Sequence, residues 1–193
     1  MTVRRTSGVK LWPQALAAAA STLAPTAAFA VDYLSPQQAQ QVMFPSADRF
    51  EVRDVRLDAA QLQALQQRLG MPARSAQWKV VVASQGGKTL GFVVVDNVVG
   101  KFELITYAVA VQLDGTVRQI EILSYRESHG SEVRLPAWRQ QFVGKGPQSA
   151  LKTGQDIANI SGATLSCSHV TDGVKRIVAV LEAARAAGQL VGG

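Results

Sequence analysis

With 193 residues, 47% of them hydrophobic and 18% charged, the chain is long and apolar enough to bury the core of one domain. A single cysteine excludes an internal disulfide, and two histidines without a Cys/His cluster offer neither a metal site nor a hydrolytic triad. The formal charge of +6 is spread thinly, with no lysine-rich run and no basic helix interleaved with aromatics, so nucleic acid is not an expected partner.

Residues 1–30 read as a cleavable signal peptide. Arg4, Arg5 and Lys10 form a positive start, Leu11 to Leu23 is an alanine-rich apolar stretch, and Ala28-Phe29-Ala30 is a small-x-small cleavage site before Val31. The expected location is therefore periplasmic, with a mature start near Val31. The alternative is a membrane-anchored chain with an uncleaved N-terminus, although Pro13, Pro25 and the weak hydrophobicity of alanine make a poor spanning helix. Thr6, Ser7 and Gly8 follow Arg4-Arg5 where a twin-arginine signal prefers apolar residues, which points to export in the unfolded state. Removing three positive charges and no negative ones lowers the formal charge from +6 to +3.

Residues 31–76 read as an N-terminal helical segment. Ser35-Pro36 supplies an N-cap and first helical position, Gln37 to Met43 a short helix, and Phe44-Pro45 a stop. Asp58 to Leu69 reads as a second helix, with Leu62, Leu65 and Leu69 on one face and Gly70 at its end.

From Gln77 the period changes. Trp78 to Ser84 and Leu90 to Val98 are β-branched runs around Gly86-Gly87, and Leu104 to Leu113 and Val117 to Tyr125 are two more around Asp114-Gly115. They predict two consecutive hairpins, in a sheet that carries helices on one face and is partly exposed on the other. Val170, Val174, Ile177, Val178 and Leu181 then fall on one face of a long helix. Ser166 or Ser168 is its expected N-cap, Asp172 places a negative charge near the first turn, and Arg185 with Gly188 marks its end. The fold class is thus α+β, a single domain at 77–188 in which helices pack an antiparallel sheet, with a tail at 189–193.

Just before that helix stands Ser161-Gly162-Ala163-Thr164. Small hydroxyl residues and glycine at a helix start suit a phosphate, because the first amides lack intrahelical partners; the same string also makes a plain tight turn. Cys167 reads as a small buried hydrophobe and Trp138 with Phe142 as core contacts or a stacking platform. Arg126, Arg134 and Arg139 read as solvated charges or as a rim for an anion.

Ser161-Gly162-Ala163-Thr164-Leu165-Ser166 followed by an amphipathic helix resembles the flavin-attachment motif of the FMN-binding domain family, found in flavin subunits of the sodium-pumping NADH:quinone reductase and of the Rnf complex. A second stretch resembles the same family in the same order: Gly100-Lys101, Ile105-Thr106-Tyr107, Asp114-Gly115, the Glu127-Ser128-His129-Gly130 loop, and Trp138 through Lys145. The likeness runs from about Gly86 to Leu181. It implies FMN as cofactor, held at Ser161, Gly162, Ala163, Leu165 and Ser166 and joined to the Thr164 hydroxyl by a phosphoester, with Glu127, Ser128 and Gly130 beside the ring. It implies a flavin transferase acting outside the cytoplasm and a membrane-bound or periplasmic redox partner.

One position departs: Ala158 stands where the family's motif has an aspartate, and Asp156 lies two residues too early. The function implied is that of an exported flavoprotein passing electrons between a membrane or periplasmic donor and an acceptor, rather than a free-standing oxidoreductase, for no nicotinamide-binding glycine fingerprint follows a strand. The alternatives are a non-redox accessory or structural subunit of an exported complex, and a non-covalent FMN binder.

Overall fold

The computed structural model describes residues 31–190, so the expected signal peptide, its cleavage by peptidase and most of the expected 189–193 tail lie outside the described residues. A short helix α1 (Pro36–Met43) begins at Ser35, whose side chain caps the Gln38 amide while Gln38 caps Ser35 in return. Helix α2 (Ala59–Leu69) is capped in the same reciprocal way by Asp58 and Gln61, and Gly70 ends it at φ +66°.

The sheet has six antiparallel strands in the order β1-β6-β5-β4-β3-β2. Strands β3 (Gln77–Gln85), β4 (Lys88–Val99), β5 (Leu104–Gln112) and β6 (Val117–Tyr125) form the expected pair of hairpins. Gly86 and Gly87, at φ +55° and +79°, make the first two-residue turn, where both positions need positive φ. At the second, Asp114 accepts from the amide and hydroxyl of Thr116 at 2.8 and 2.7 Å. Two further strands extend the meander at its edges: β2 (Arg49–Arg56) pairs with β3, and the short β1 (Val31–Asp32) pairs with Tyr125 and Ser124 of β6.

Alternation along the strands builds a core on each face. The larger one sets Val80, Val82, Phe92, Val94, Tyr107 and Val109 against α2 and against helix α4 (Thr164–Ala186). The second face is not left bare: Ala39, Met43 and Phe44 cover Val81, Ala83, Val93, Ala108, Ala110 and Leu123. Gly91 makes this possible, because a Cβ there would stand 2.6 Å from the Phe44 ring and 2.5 Å from the Val111 carbonyl.

Helix α4 carries the expected apolar stripe, with Val170, Val174, Ile177, Val178 and Leu181 all buried. Its start differs from expectation. It begins at Thr164 after Ala163, with no side-chain cap, so Ser166 and Ser168 lie inside the helix and Asp172 stands beyond its first turn. Its end is a Schellman turn: Gly188, at φ +68°, donates to Arg185 and Gln189 donates to Ala184, both at 2.9 Å. Midway, Gly173 admits Tyr107, whose hydroxyl would lie 1.9 Å from any Cβ at that position. That hydroxyl donates to Asp96 of the neighbouring strand β4 at 3.0 Å, so it keeps a partner beneath the helix.

Candidate functional site

The site forms where three loops meet at one end of the sheet. Residues 100–103 join β4 to β5, residues 126–130 leave the end of β6, and residues 158–163 lead into α4. In the first loop Gly100 donates to the Glu103 carbonyl at 2.8 Å, turning the Phe102 and Glu103 amides toward the second. Glu127 accepts from them at 2.6 and 2.9 Å. Burial pushes the Glu127 carboxyl up, but the amides of Glu103, Phe102 and Lys101 and the charge of Lys101 outweigh it and hold the group below its ordinary value. Gly100 must be glycine for this contact, since a Cβ would stand 2.5 Å from the carboxylate oxygen.

Tyr125 joins the second loop to the helix. Its hydroxyl donates to the His129 carbonyl and lies 3.2 Å from the Ser166 hydroxyl, which with that proton engaged is the donor to Tyr125. Burial raises the Tyr125 pKa, opposed by the Ser166 bond and reinforced by the Glu127 charge, so the phenol stays protonated. Gly130, at φ +87°, passes so close to the third loop that a Cβ would meet Ala163 Cβ at 2.5 Å and the Tyr125 hydroxyl at 2.7 Å. Two motifs far apart in sequence are therefore in van der Waals contact through a residue without a side chain.

In the third loop Ala163 donates to Ile160 at 3.0 Å across Ser161-Gly162, with Gly162 at φ +81°, the third-position conformation of a tight turn that favours glycine. The chain leaves this turn directly into α4. Thr164 is exposed, and its hydroxyl accepts from the Asn159 side-chain amide at 3.1 Å. The amides of Thr164, Leu165 and Ser166 begin the helix without intrahelical partners.

The three loops enclose an open cleft of about 530 Å³ lined by Lys101, Phe102, Glu127, Ser128, His129 and the run Gly162 to Ser166. Of the expected site residues, Glu127, Ser128, Gly162, Ala163, Thr164, Leu165 and Ser166 thus share one cleft, while Gly130 packs behind it and Ser161 stands exposed in the turn. Ser128 is bonded to the His129 ring at 2.9 Å. Lys101 comes to the cleft from the second family-like stretch, whereas Phe102 and Asn159 join the site without any local pattern in the sequence that marks them for it. Phe102 is 75% exposed with the Lys101 ammonium 4.9 Å from its ring centre, and together with the exposed Leu165 it gives the cleft an apolar lip.

Other candidates take structural places. Trp138 and Phe142 are buried edge-to-face at 5.0 Å, and the Trp138 indole donates to the Ala158 carbonyl at 2.8 Å, so they are core contacts and no stacking platform. Arg139 pairs with Glu121, Arg134 lies 3.6 Å over the Tyr33 ring, and Arg126 lines a different hollow beside Asp32; none of the three rims the cleft. Cys167 is buried, which raises its thiol pKa. Asp156 is engaged with the amides of Leu151 and Lys152, at 3.0 and 2.7 Å, and with Lys145 at 3.2 Å. A hollow between α2 and α4 and another beside Asp114 are of similar size, but neither touches these loops.

Residues 100–179 match the family model of the FMN-binding domain, a span that holds all three loops and the first two-thirds of α4. This stretch is an FMN-binding domain. Its cofactor is FMN. A comparison with curated proteins gave no match. Among solved structures, the chain is similar to NqrC of Shewanella oneidensis, at 15% identity and TM-score 0.49, over 75% of this chain and 88% of that one. It is also similar to a subunit of the Na(+)-translocating NADH-quinone reductase of Parabacteroides distasonis, at 17% identity and TM-score 0.44, over 75% and 84% of the two chains. The FMN-binding domain fits its group by its own residues: the cleft is within the usual size for a cofactor, unpartnered amides and Lys101 meet a phosphate, and Phe102 and Leu165 offer apolar surface to a ring.

Proposed function

We propose that the protein is an exported flavoprotein that carries electrons between a membrane-bound or periplasmic donor and an acceptor, with FMN joined to Thr164 through a phosphoester. The observation that carries this reading is the exposure of the Thr164 hydroxyl in a cleft shared by both family motifs. Bound FMN supplies the electron chemistry. The chain's own residues would bind and orient it: the amides of Thr164, Leu165 and Ser166 and the Lys101 ammonium would hold the phosphate, and the loop from Glu127 to Gly130 would flank the ring.

Attachment needs an enzyme. The Thr164 hydroxyl is a weak nucleophile at neutral pH, and no carboxylate or imidazole among the described residues is hydrogen-bonded to it. With a flavin dinucleotide as donor, the Thr164 oxygen bonds to the phosphorus of the flavin half, the phosphoanhydride bond breaks, and a nucleoside monophosphate leaves. The hydroxyl proton passes to a base of the transferase. Export by the signal peptide brings the unfolded chain to that transferase. Among the described residues no helix is long and apolar enough to cross a membrane.

A second reading, non-covalent FMN binding, is favoured by Ala158 and by the engagement of Asp156 elsewhere. Intact mass of the denatured protein after reaction with transferase and flavin dinucleotide separates the two. Wild type and Thr164→Ser are expected to retain flavin and Thr164→Ala to lose it with the fold intact; Ala158→Asp is expected to raise the labelled fraction. Flavin persisting on denatured Thr164→Ala would refute the assignment, and wild type that binds FMN but releases all of it on denaturation would establish the second reading. The same measurement on protein from the native compartment reports the mature start, expected near Val31.

A further inference from the structure

We infer that Asn159 is the residue that positions the Thr164 hydroxyl for flavin transfer, an inference that rests on the covalent reading above. The two residues are five apart, yet the turn closed by Ala163 and Ile160 folds the chain back so that Asn159 Nδ2 reaches Thr164 Oγ1 at 3.1 Å. Among the described residues no other side chain bonds to that oxygen. Ala158 has only a methyl group to offer, and its backbone is taken by the Gln141 side chain at 2.7 Å and by Trp138 at 2.8 Å. Asp156 is turned inward to the 151–152 amides and Lys145.

The sense of the hydrogen bond matters. A hydroxyl has one proton and two lone pairs, and an amide N–H occupies one lone pair only. The proton stays available to the transferase base, the second lone pair stays available to the phosphorus, and the direction of the oxygen is fixed. After transfer the bridging oxygen has no proton but still accepts, so the contact made before the reaction survives in the product. A carboxylate at the same place acts oppositely: it would hold the hydroxyl proton before transfer and face a phosphate of like charge after it. The exposed turn around Asn159 gives the transferase access to both groups.

The test is the initial rate of labelling of the full mature chain by transferase and flavin dinucleotide, read as intact mass after denaturation, beside thermal melting of the unlabelled protein. Asn159→Ala is expected to lower the maximal rate by about tenfold, the worth of one hydrogen bond to the reacting group, with the donor KM unchanged. Asn159→Asp is expected to be at least as slow. Both should melt with the wild type, because Asn159 is exposed and outside the core. Wild-type labelling rates in either variant would overturn the inference while leaving attachment at Thr164 standing. A wild type that takes no label at all would overturn attachment, and this inference with it.

Discussion

Gly130→Ala probes the junction on which the site depends. The residue sits at φ +87°, and a Cβ there would lie 2.5 Å from Ala163 Cβ, 2.7 Å from the Tyr125 hydroxyl and 3.3 Å from Ala163 Cα. Left-handed backbone costs a residue with a side chain about 1–2 kcal/mol. Forcing a methyl group into occupied space adds about 1–3 kcal/mol, for a total of about 2–5 kcal/mol if the loops hold their places. In a domain of this size each kcal/mol moves the melting temperature by about 2–4 °C, so a fall of roughly 5–15 °C is expected. If the 126–130 loop swings away instead, the melting temperature falls less and the cleft opens, so flavin labelling drops.

Gly144→Ala separates the two costs. Gly144 is at φ +78° with no atom within 4 Å of a built Cβ, so this variant bears the backbone term alone, roughly 2–8 °C, and keeps its flavin. Circular dichroism melting and intact mass of the labelled protein read both variants. If Gly130→Ala matched Gly144→Ala in both, the close packing of the two motifs would have no part in holding the site.

Two further outcomes are expected. Val174→Asp or Ile177→Asp places an unpaired carboxylate in the buried stripe of α4 and should cost on the order of 3–5 kcal/mol; wild-type-like melting of either would mean that the helix does not pack on the sheet. In Glu127 and Asp156, burial opposes ionisation but backbone amides and lysines outweigh it, so both carboxyls are lowered. Their contribution to stability is complete above the unfolded carboxylate value of about 4 and is lost as pH falls through the lower folded values. The Glu127→Gln, Asp156→Asn double variant should therefore show a shallower loss of stability in urea melts below about pH 4 than the wild type, and an unchanged acid slope would refute the assignment.

Much of this architecture is legible in the sequence, for identifiable reasons. The four central strands announce themselves as β-branched runs, since both of their faces meet apolar surface, and α1 and α2 carry reciprocal side-chain caps. Strand β2 does not, because five of the eight residues in Arg-Phe-Glu-Val-Arg-Asp-Val-Arg are charged, a composition that guards a sheet edge while hiding its periodicity. The start of α4 is easily misplaced, because a serine near a helix end usually caps it. Ser166 is instead spent on Tyr125, a partner from strand β6 that no local pattern reveals. Both flavin motifs are visible as strings; their contact through Gly130, the lining by Lys101 and Phe102, and the reach of Asn159 to Thr164 exist only once the three loops are brought together.

The place of α4 in the chain bears on how the molecule is made. Of the described elements this helix is made last, yet it covers strands made long before it, and until residues 164–186 emerge the larger face of the sheet has only α2 against it. Pairings of such long sequence separation form late, and an incompletely covered sheet face in the meantime invites association with other chains. On the covalent reading proposed above, the acceptor Thr164 is the first residue of that helix, so the turn that presents it is complete only when the helix has formed. A transferase that requires this turn would label finished molecules in preference to unfolded ones.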